Sequence, residues 1–174
     1  PDGNISAANT LAGVYTGALT GSGLTSTNYN ITYVAGKYTI VPADQLLVKV
    51  SNTSSTYGTD PVYSVTSAQY LKSSTNTVVD LTSNVSLTGN ALSLNDGASG
   101  QTAFSLGALL PSNSTSGQLN VGAYQLSAAS INNSSANYNN TITVTGSLQV
   151  NPKTVTPALT SSVSKPYDGS TGMN

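Results

Sequence analysis

Short apolar runs, four or five residues long and set among Ser, Thr and Asn, are spread along most of this chain. Where apolar and polar residues alternate, successive side chains of an extended segment point to opposite faces, which predicts half-buried β-strands. Leu46–Val50 is such a run, with Leu46, Val48 and Val50 on one face, and Thr141–Thr145 places Ile142 and Val144 inward. Val62–Val65, Thr77–Leu81, Val85–Leu87, Ala91–Leu94, Val121–Ala129, Leu148–Val150 and Val155–Val163 read as further strands, and Gly13–Thr16 as a weak one. Gln101–Leu110 fits a strand or one turn of helix, with Gly107 opposing a longer helix. Asp2-Gly3 and Asp96-Gly97 are turn signals, while Ser55–Pro61 and Ser112–Gly117 read as polar loops.

The stretch Asn28–Pro42, NYNITYVAGKYTIVP, holds two β-rich runs, Ile31–Val34 and Tyr38–Val41, on either side of Ala35-Gly36-Lys37. A short break containing Gly between such runs predicts a hairpin, closed off by Pro42. The same landmarks return as Asn137–Pro152. Asn28-Tyr29-Asn30 matches Asn137-Tyr138-Asn139, Gly36 matches Gly146, and Pro42 matches Pro152. Gly13-Val14-Tyr15 likewise matches Gly122-Ala123-Tyr124, and Tyr57 matches Tyr167. A constant offset of 109 or 110 residues marks a repeated module. Residues 1–43 then form the closing part of one module, 44–153 a complete module, and 154–174 the start of another. Many short strands divided by turns predict an all-β fold of tandem immunoglobulin-like sandwiches. A β-grasp-like sheet with one short helix is the alternative. A β-solenoid would repeat at a far shorter period.

Composition narrows function by what is missing. Of 174 residues only 6% are charged, against about 25% in ordinary domains. Arg, Glu, His and Cys do not occur, and the net charge is −1. A chain without Arg lacks the footprint of a nucleic-acid binder. Without His or Cys, the usual nucleophile pairs and most transition-metal sites cannot be assembled. No cofactor is expected, and no apolar run is long enough for direct membrane insertion. With Pro1 at its start and no signal peptide, the chain is expected to come from inside a longer polypeptide.

The stretch NYNITYVAGKYTIVPA, preceded by GVYTGAL and followed by TYGTDP, resembles the mostly-beta, glycine-rich (MBG) modules of bacterial surface proteins. Lys165-Pro166-Tyr167-Asp168-Gly169-Ser170-Thr171 is similar to the opening of the related YDG modules. The match is clearest over residues 11–60 and 118–174, and residues 62–116 share only its general character. The resemblance implies a tandem repeat in a large secreted adhesin of the filamentous-haemagglutinin kind. It implies a stalk or fibre module at the bacterial cell surface or outside the cell, with no catalysis. The expected partners are neighbouring modules or copies joined head to tail, residues 154–174 of one completing 1–43 of the next. The competing reading is a carbohydrate-binding adhesive module that contacts a glycan or host surface. A hydrolase ranks third.

Candidate chemistry is sparse. The carboxylates are Asp2, Asp44, Asp60, Asp80, Asp96 and Asp168. No two lie close in sequence and no calcium-loop spacing occurs, although Asp44 or Asp60 could serve an ion between modules. Lys49, Lys72 or Lys153 could form an isopeptide bond to an Asn beside a buried Asp. Tyr15, Tyr29, Tyr57, Tyr124, Tyr138 and Tyr167 recur at equivalent positions, which favours packing. Tyr33, Tyr38, Tyr63 and Tyr70 lack such partners; packing is the first reading for them as well, and they are the candidates for stacking on a sugar ring if the chain presents a glycan platform. Sequons at Asn30, Asn52, Asn84, Asn113 and Asn133, and also at Asn4, Asn132 and Asn139, are candidate glycosylation sites.

Overall fold

The computed structural model describes residues 11–158 together with Pro166, Tyr167 and Gly169. The protein is all-β. Its strands are β1 (Gly13–Leu19), β2 (Gly36–Ile40), β3 (Leu46–Val50), β4 (Thr53–Thr56), β5 (Val65–Lys72) and β6 (Thr77–Asp80). They continue as β7 (Val85–Thr88), β8 (Ala91–Asn95), β9 (Gln101–Ala108), β10 (Gly122–Asn133), β11 (Ile142–Thr145) and β12 (Ser147–Asn151). Among the described residues the only helical element is the 3-10 turn Thr82–Asn84. A β-grasp sheet with its helix is therefore not the fold.

Two sheets share one core. The larger has the order β4-β12-β10-β9-β8-β7, the smaller β11-β3-β5-β6, and β1 pairs with β2 separately. Period-2 alternation builds the core from both sides. Leu46, Val48 and Val50 of β3, with Ala68 and Tyr70 of β5, face Leu92, Leu94, Phe104, Leu106 and Leu148 of the larger sheet. Every buried apolar side chain among the described residues falls between Leu46 and Val150. Positions between them in the larger sheet, such as Ser86, Ser93 and Ala103, point outward and carry small neutral side chains.

Two strands change sheets side by side. β3 pairs in parallel with β11, and after a two-residue step β4 pairs in parallel with β12. The step between β11 and β12 is Gly146, with φ +148°. A Cβ placed there would lie 2.6 Å from the Val50 carbonyl oxygen, so the crossing requires glycine. Because both strand pairs run in one direction, the chain enters and leaves the sandwich at opposite poles. At one pole the Asn139 amide donates to the Asp44 carbonyl, 2.9 Å. At the other the Tyr57 amide donates to the Asn151 carbonyl, 2.9 Å.

The expected hairpin within Asn28–Pro42 does not form. Ile31–Ala35 makes no strand, and β2 pairs with β1 across a long connection. In the second copy the matching runs are β11 and β12, which lie in different sheets. Gly146 is a sheet crossing there, not a turn. Gln101–Ala108 is a strand rather than a helical turn. Thr53–Thr56 is a strand where Ser55 and Thr56 were expected in a loop. The expected strand at Val62–Val65 is replaced by β5, which starts at Val65 and runs to Lys72. Val155–Ala158 form no strand, and the rest of the strand expected to Val163 lies outside the described residues.

Candidate functional site

The densest polar arrangement lies at the pole where Asp44 enters. The loop between β10 and β11 carries Ser135, Asn137 and Tyr138, and Tyr138 turns into the core with only 4% of its surface exposed. Its ring packs against Tyr70, with centroids 5.1 Å apart and planes tilted by 58°. Thr102, fully buried on β9, donates to Asn133 Oδ1 at 2.7 Å, so the Tyr138 hydroxyl donates to Thr102 Oγ1 at 2.7 Å. The Asn133 amide nitrogen then holds the Tyr138 carbonyl at 3.3 Å and Asn140 Oδ1 at 3.1 Å. Every donor in this chain has an acceptor, which is the condition for burying polar groups.

Asp96, buried after β8, ties the β8–β9 turn to that loop. Oδ1 accepts the Ala98 amide at 2.9 Å and the Gly100 amide at 3.0 Å. Oδ2 accepts the Ser135 hydroxyl at 2.6 Å and the Asn137 side-chain amide at 3.1 Å. The Ser135 bond, with the amides and Asn137, holds this carboxyl below its ordinary pKa even though desolvation pushes it up. Gly100 is required at the turn, since a Cβ would sit 2.3 Å from Asp96 Oδ2 and 2.5 Å from Ser135 Cα. Burial raises the phenols of Tyr138 and Tyr70, and the nearby Asp96 charge adds to both shifts.

Beside this lock a polar cleft of about 570 Å³ opens to solvent, between Asp44, Lys72 and Ser73 on one wall and Ser135–Asn140 on the other. Asp44 adopts φ +55°, a left-handed conformation that Asp tolerates better than most residues. Its carboxylate accepts the Ser73 amide at 2.9 Å and the Ser73 hydroxyl, which lowers its pKa. Asp80 is held in the same manner by Thr82 and Gln69. Each of these carboxylates is occupied by neutral donors of its own neighbourhood. Among the described residues no hydrogen bond joins two carboxylates, and no three potential metal ligands converge. Asp2 and Asp168 lie outside the described residues.

Two candidate stacking tyrosines are not exposed. Tyr63 (8%) and Tyr70 (4%) are buried, because β5 and the segment before it feed the core. Tyr38 lies half-buried against Tyr15, with centroids 4.9 Å apart. Tyr33 is 41% exposed, and its hydroxyl accepts the Leu24 amide at 2.6 Å. The packing expected at repeated tyrosines holds for Tyr138 but not for Tyr29 (78% exposed) or Tyr167 (97%). Tyr57 is half-buried and donates to Ser114 Oγ at 2.9 Å. Tyr15 and Tyr124 share a corner geometry, each phenol donating to the carbonyl four residues upstream, Leu11 at 2.6 Å and Asn120 at 2.9 Å.

The sequon asparagines divide by what their side chains do. Asn30 and Asn113 are exposed. Asn52 accepts the Ser147 amide at 3.1 Å, Asn84 donates to the Asn95 carbonyl at 3.1 Å, and Asn133 is committed to the Tyr138 loop. Lys49 and Lys153 are exposed, Lys72 is half-buried in the cleft wall beside Asp44, and the buried Asp96 carboxylate has no lysine among its hydrogen-bond partners. Sequence reading missed the Asp96–Ser135–Asn137 lock. Its one signal was the repeated Asn-Tyr-Asn, whose first Asn is Asn137. Compared with family models, curated proteins and solved structures, the chain matches none.

Proposed function

We propose that this chain is a structural stalk or fibre repeat of a secreted bacterial surface adhesin, without catalysis. The observation that carries the reading is the placement of the chain's entrance and exit at opposite poles of the sandwich, Asp44 beside Asn139 and Asn151 beside Tyr57. Modules joined that way extend end to end rather than folding back, as a spacer requires. The recurrence of one ladder at two places in the chain supports tandem repetition. Asp44, Asp80 and Asp96, each held by neutral donors of its own, offer a hydrolase no acid–base pair. Neighbouring modules are the natural partners.

The polar cleft beside Asp44 favours a second reading, a glycan-binding module, since hydroxyl and amide groups line it. A glycan array on the purified chain separates the two. The stalk reading expects no saturable binding. Saturable binding at micromolar affinity, lost on Asn140→Ala at the cleft wall, would replace it with the glycan reading.

A further inference from the structure

This chain has ten tyrosines, one Met and no Cys, Trp or His, so one-electron oxidation has little but phenols to act on. Two tyrosine pairs are in contact. Tyr70 and Tyr138 are buried, steeply tilted, and the Tyr138 phenol is committed to Thr102. Tyr15 and Tyr38 differ on every count. They stand directly opposite each other on the β1–β2 ladder, 4.9 Å between centroids and 15° from parallel, and both are half-buried with access to solvent. The Tyr38 hydroxyl takes part in no hydrogen bond among the described residues. In the matching pair of the second copy, Tyr124 faces Leu148, so only the first copy holds two phenols here.

We propose that Tyr15 and Tyr38 form a dityrosine cross-linking site that staples β1 to β2, with hydrogen peroxide acting through a haem peroxidase as the oxidant. Each phenol gives up one electron and its hydroxyl proton. The two phenoxyl radicals couple by one carbon–carbon bond between ring positions ortho to the oxygens. The ring hydrogen at each of those carbons then moves to the oxygen and restores the phenol. Peroxide takes the two electrons and two protons and leaves as two waters. The product closes the long connection between the strands covalently, which removes chain entropy as a disulfide does in chains that have Cys.

The test treats the full chain with hydrogen peroxide and a haem peroxidase at high dilution, then reads intact mass, dityrosine fluorescence and peptide maps. The expected monomer is lighter by two hydrogens, with one cross-linked peptide joining Tyr15 to Tyr38. Tyr38→Phe keeps the stacked ring and abolishes the product, while Tyr70→Phe leaves it intact. A map placing the cross-link at Tyr29, Tyr33 or Tyr167 would overturn the assignment. So would a product confined to dimers, or a two-hydrogen loss that persists in Tyr38→Phe.

Discussion

The ladder that pairs Gly13 with Ile40 and Tyr15 with Tyr38 is repeated, position for position, by the one that pairs Gly122 with Val150 and Tyr124 with Leu148. In both places a tyrosine phenol reaches back four residues to a carbonyl. The surroundings differ. Around the second ladder, β3, β5, β8 and β9 close a core in which Leu148 is fully buried and Tyr138 is 4% exposed. Around the first, no such strands lie among the described residues, and Tyr29, the counterpart of Tyr138, is 78% exposed. Pairing and corner are local and survive without a core. Burial is a property of the assembled sandwich.

The comparison breaks most sharply at the two equivalent tyrosines. Tyr138→Ala should cost about 3–5 kcal/mol, the range for large aromatic truncations in a core. Tyr29→Ala should cost less than about 0.5 kcal/mol, as for an exposed substitution. Urea melts measure both, and equal losses would mean that the copies are buried alike. Tyr70→Ala belongs with Tyr138→Ala, since the two rings touch.

The equivalent glycines give the next contrast. Gly146→Ala forces a side chain into φ +148° and onto the Val50 carbonyl, which should cost roughly 1–3 kcal/mol. Gly36 has no left-handed φ, and its added Cβ would approach the Leu19 side chain at 3.3 Å with the Leu19 carbonyl no nearer than 3.9 Å. Gly36→Ala should therefore cost less than about 1 kcal/mol. Comparable midpoints for the two variants would sink the sheet-crossing role given to Gly146.

The corner bonds should behave alike. Tyr15→Phe removes the bond to Leu11, and Tyr124→Phe the bond to Asn120 together with a longer contact to Ser112, about 0.5–1.5 kcal/mol in each case. Hydrogen exchange of the β1–β2 and β10–β12 amides should quicken by similar factors. A response confined to the second copy would show that the corner depends on the core after all.

Acid gives the smallest effect at neutral pH, and among the described residues the carboxylates with lowered pKa values all lie in the second copy. Asp96 has its folded pKa below the unfolded one, so its contribution is full above the unfolded carboxylate pKa and is lost as pH falls through the folded value. Chemical shifts of Tyr138 should move in that acid range while those of Tyr29 stay still. An Asp96→Asn variant should make this acid limb shallower, with Asp44 and Asp80 keeping their shares; an unchanged limb would exclude Asp96 as one of its sources.

Much of this was legible along the chain. β3, β7 and β8 follow the alternation of apolar residues, and the offset between copies marked the equivalent segments that come to form both ladders, though not their pairing. β5 was missed over most of its length, because Val65–Lys72 buries Ala68 and Tyr70 between polar neighbours and shows no strong apolar face. Tyr70 therefore stood in no predicted strand, and its place in the core was not assigned. Asp96 read as a turn and nothing more, since its partners Ser135 and Asn137 lie some forty residues away.

The sequence by itself determined the all-β class, the repeat and the turn at Asp96-Gly97, because alternation, glycine conformation and spacing act over a few residues. Only the tertiary structure decided which strands pair. Ala35-Gly36-Lys37 and Thr145-Gly146-Ser147 both look like hairpin turns, and in neither copy do the runs beside them pair with each other. A strand edge is satisfied by any partner with free amides and carbonyls, so local residues propose a strand without choosing its neighbour. The choice falls to burial. Sending β11 and β12 to opposite sheets lets Val144 pack on one side and Leu148 and Val150 on the other, around a core that no segment of the chain contains alone.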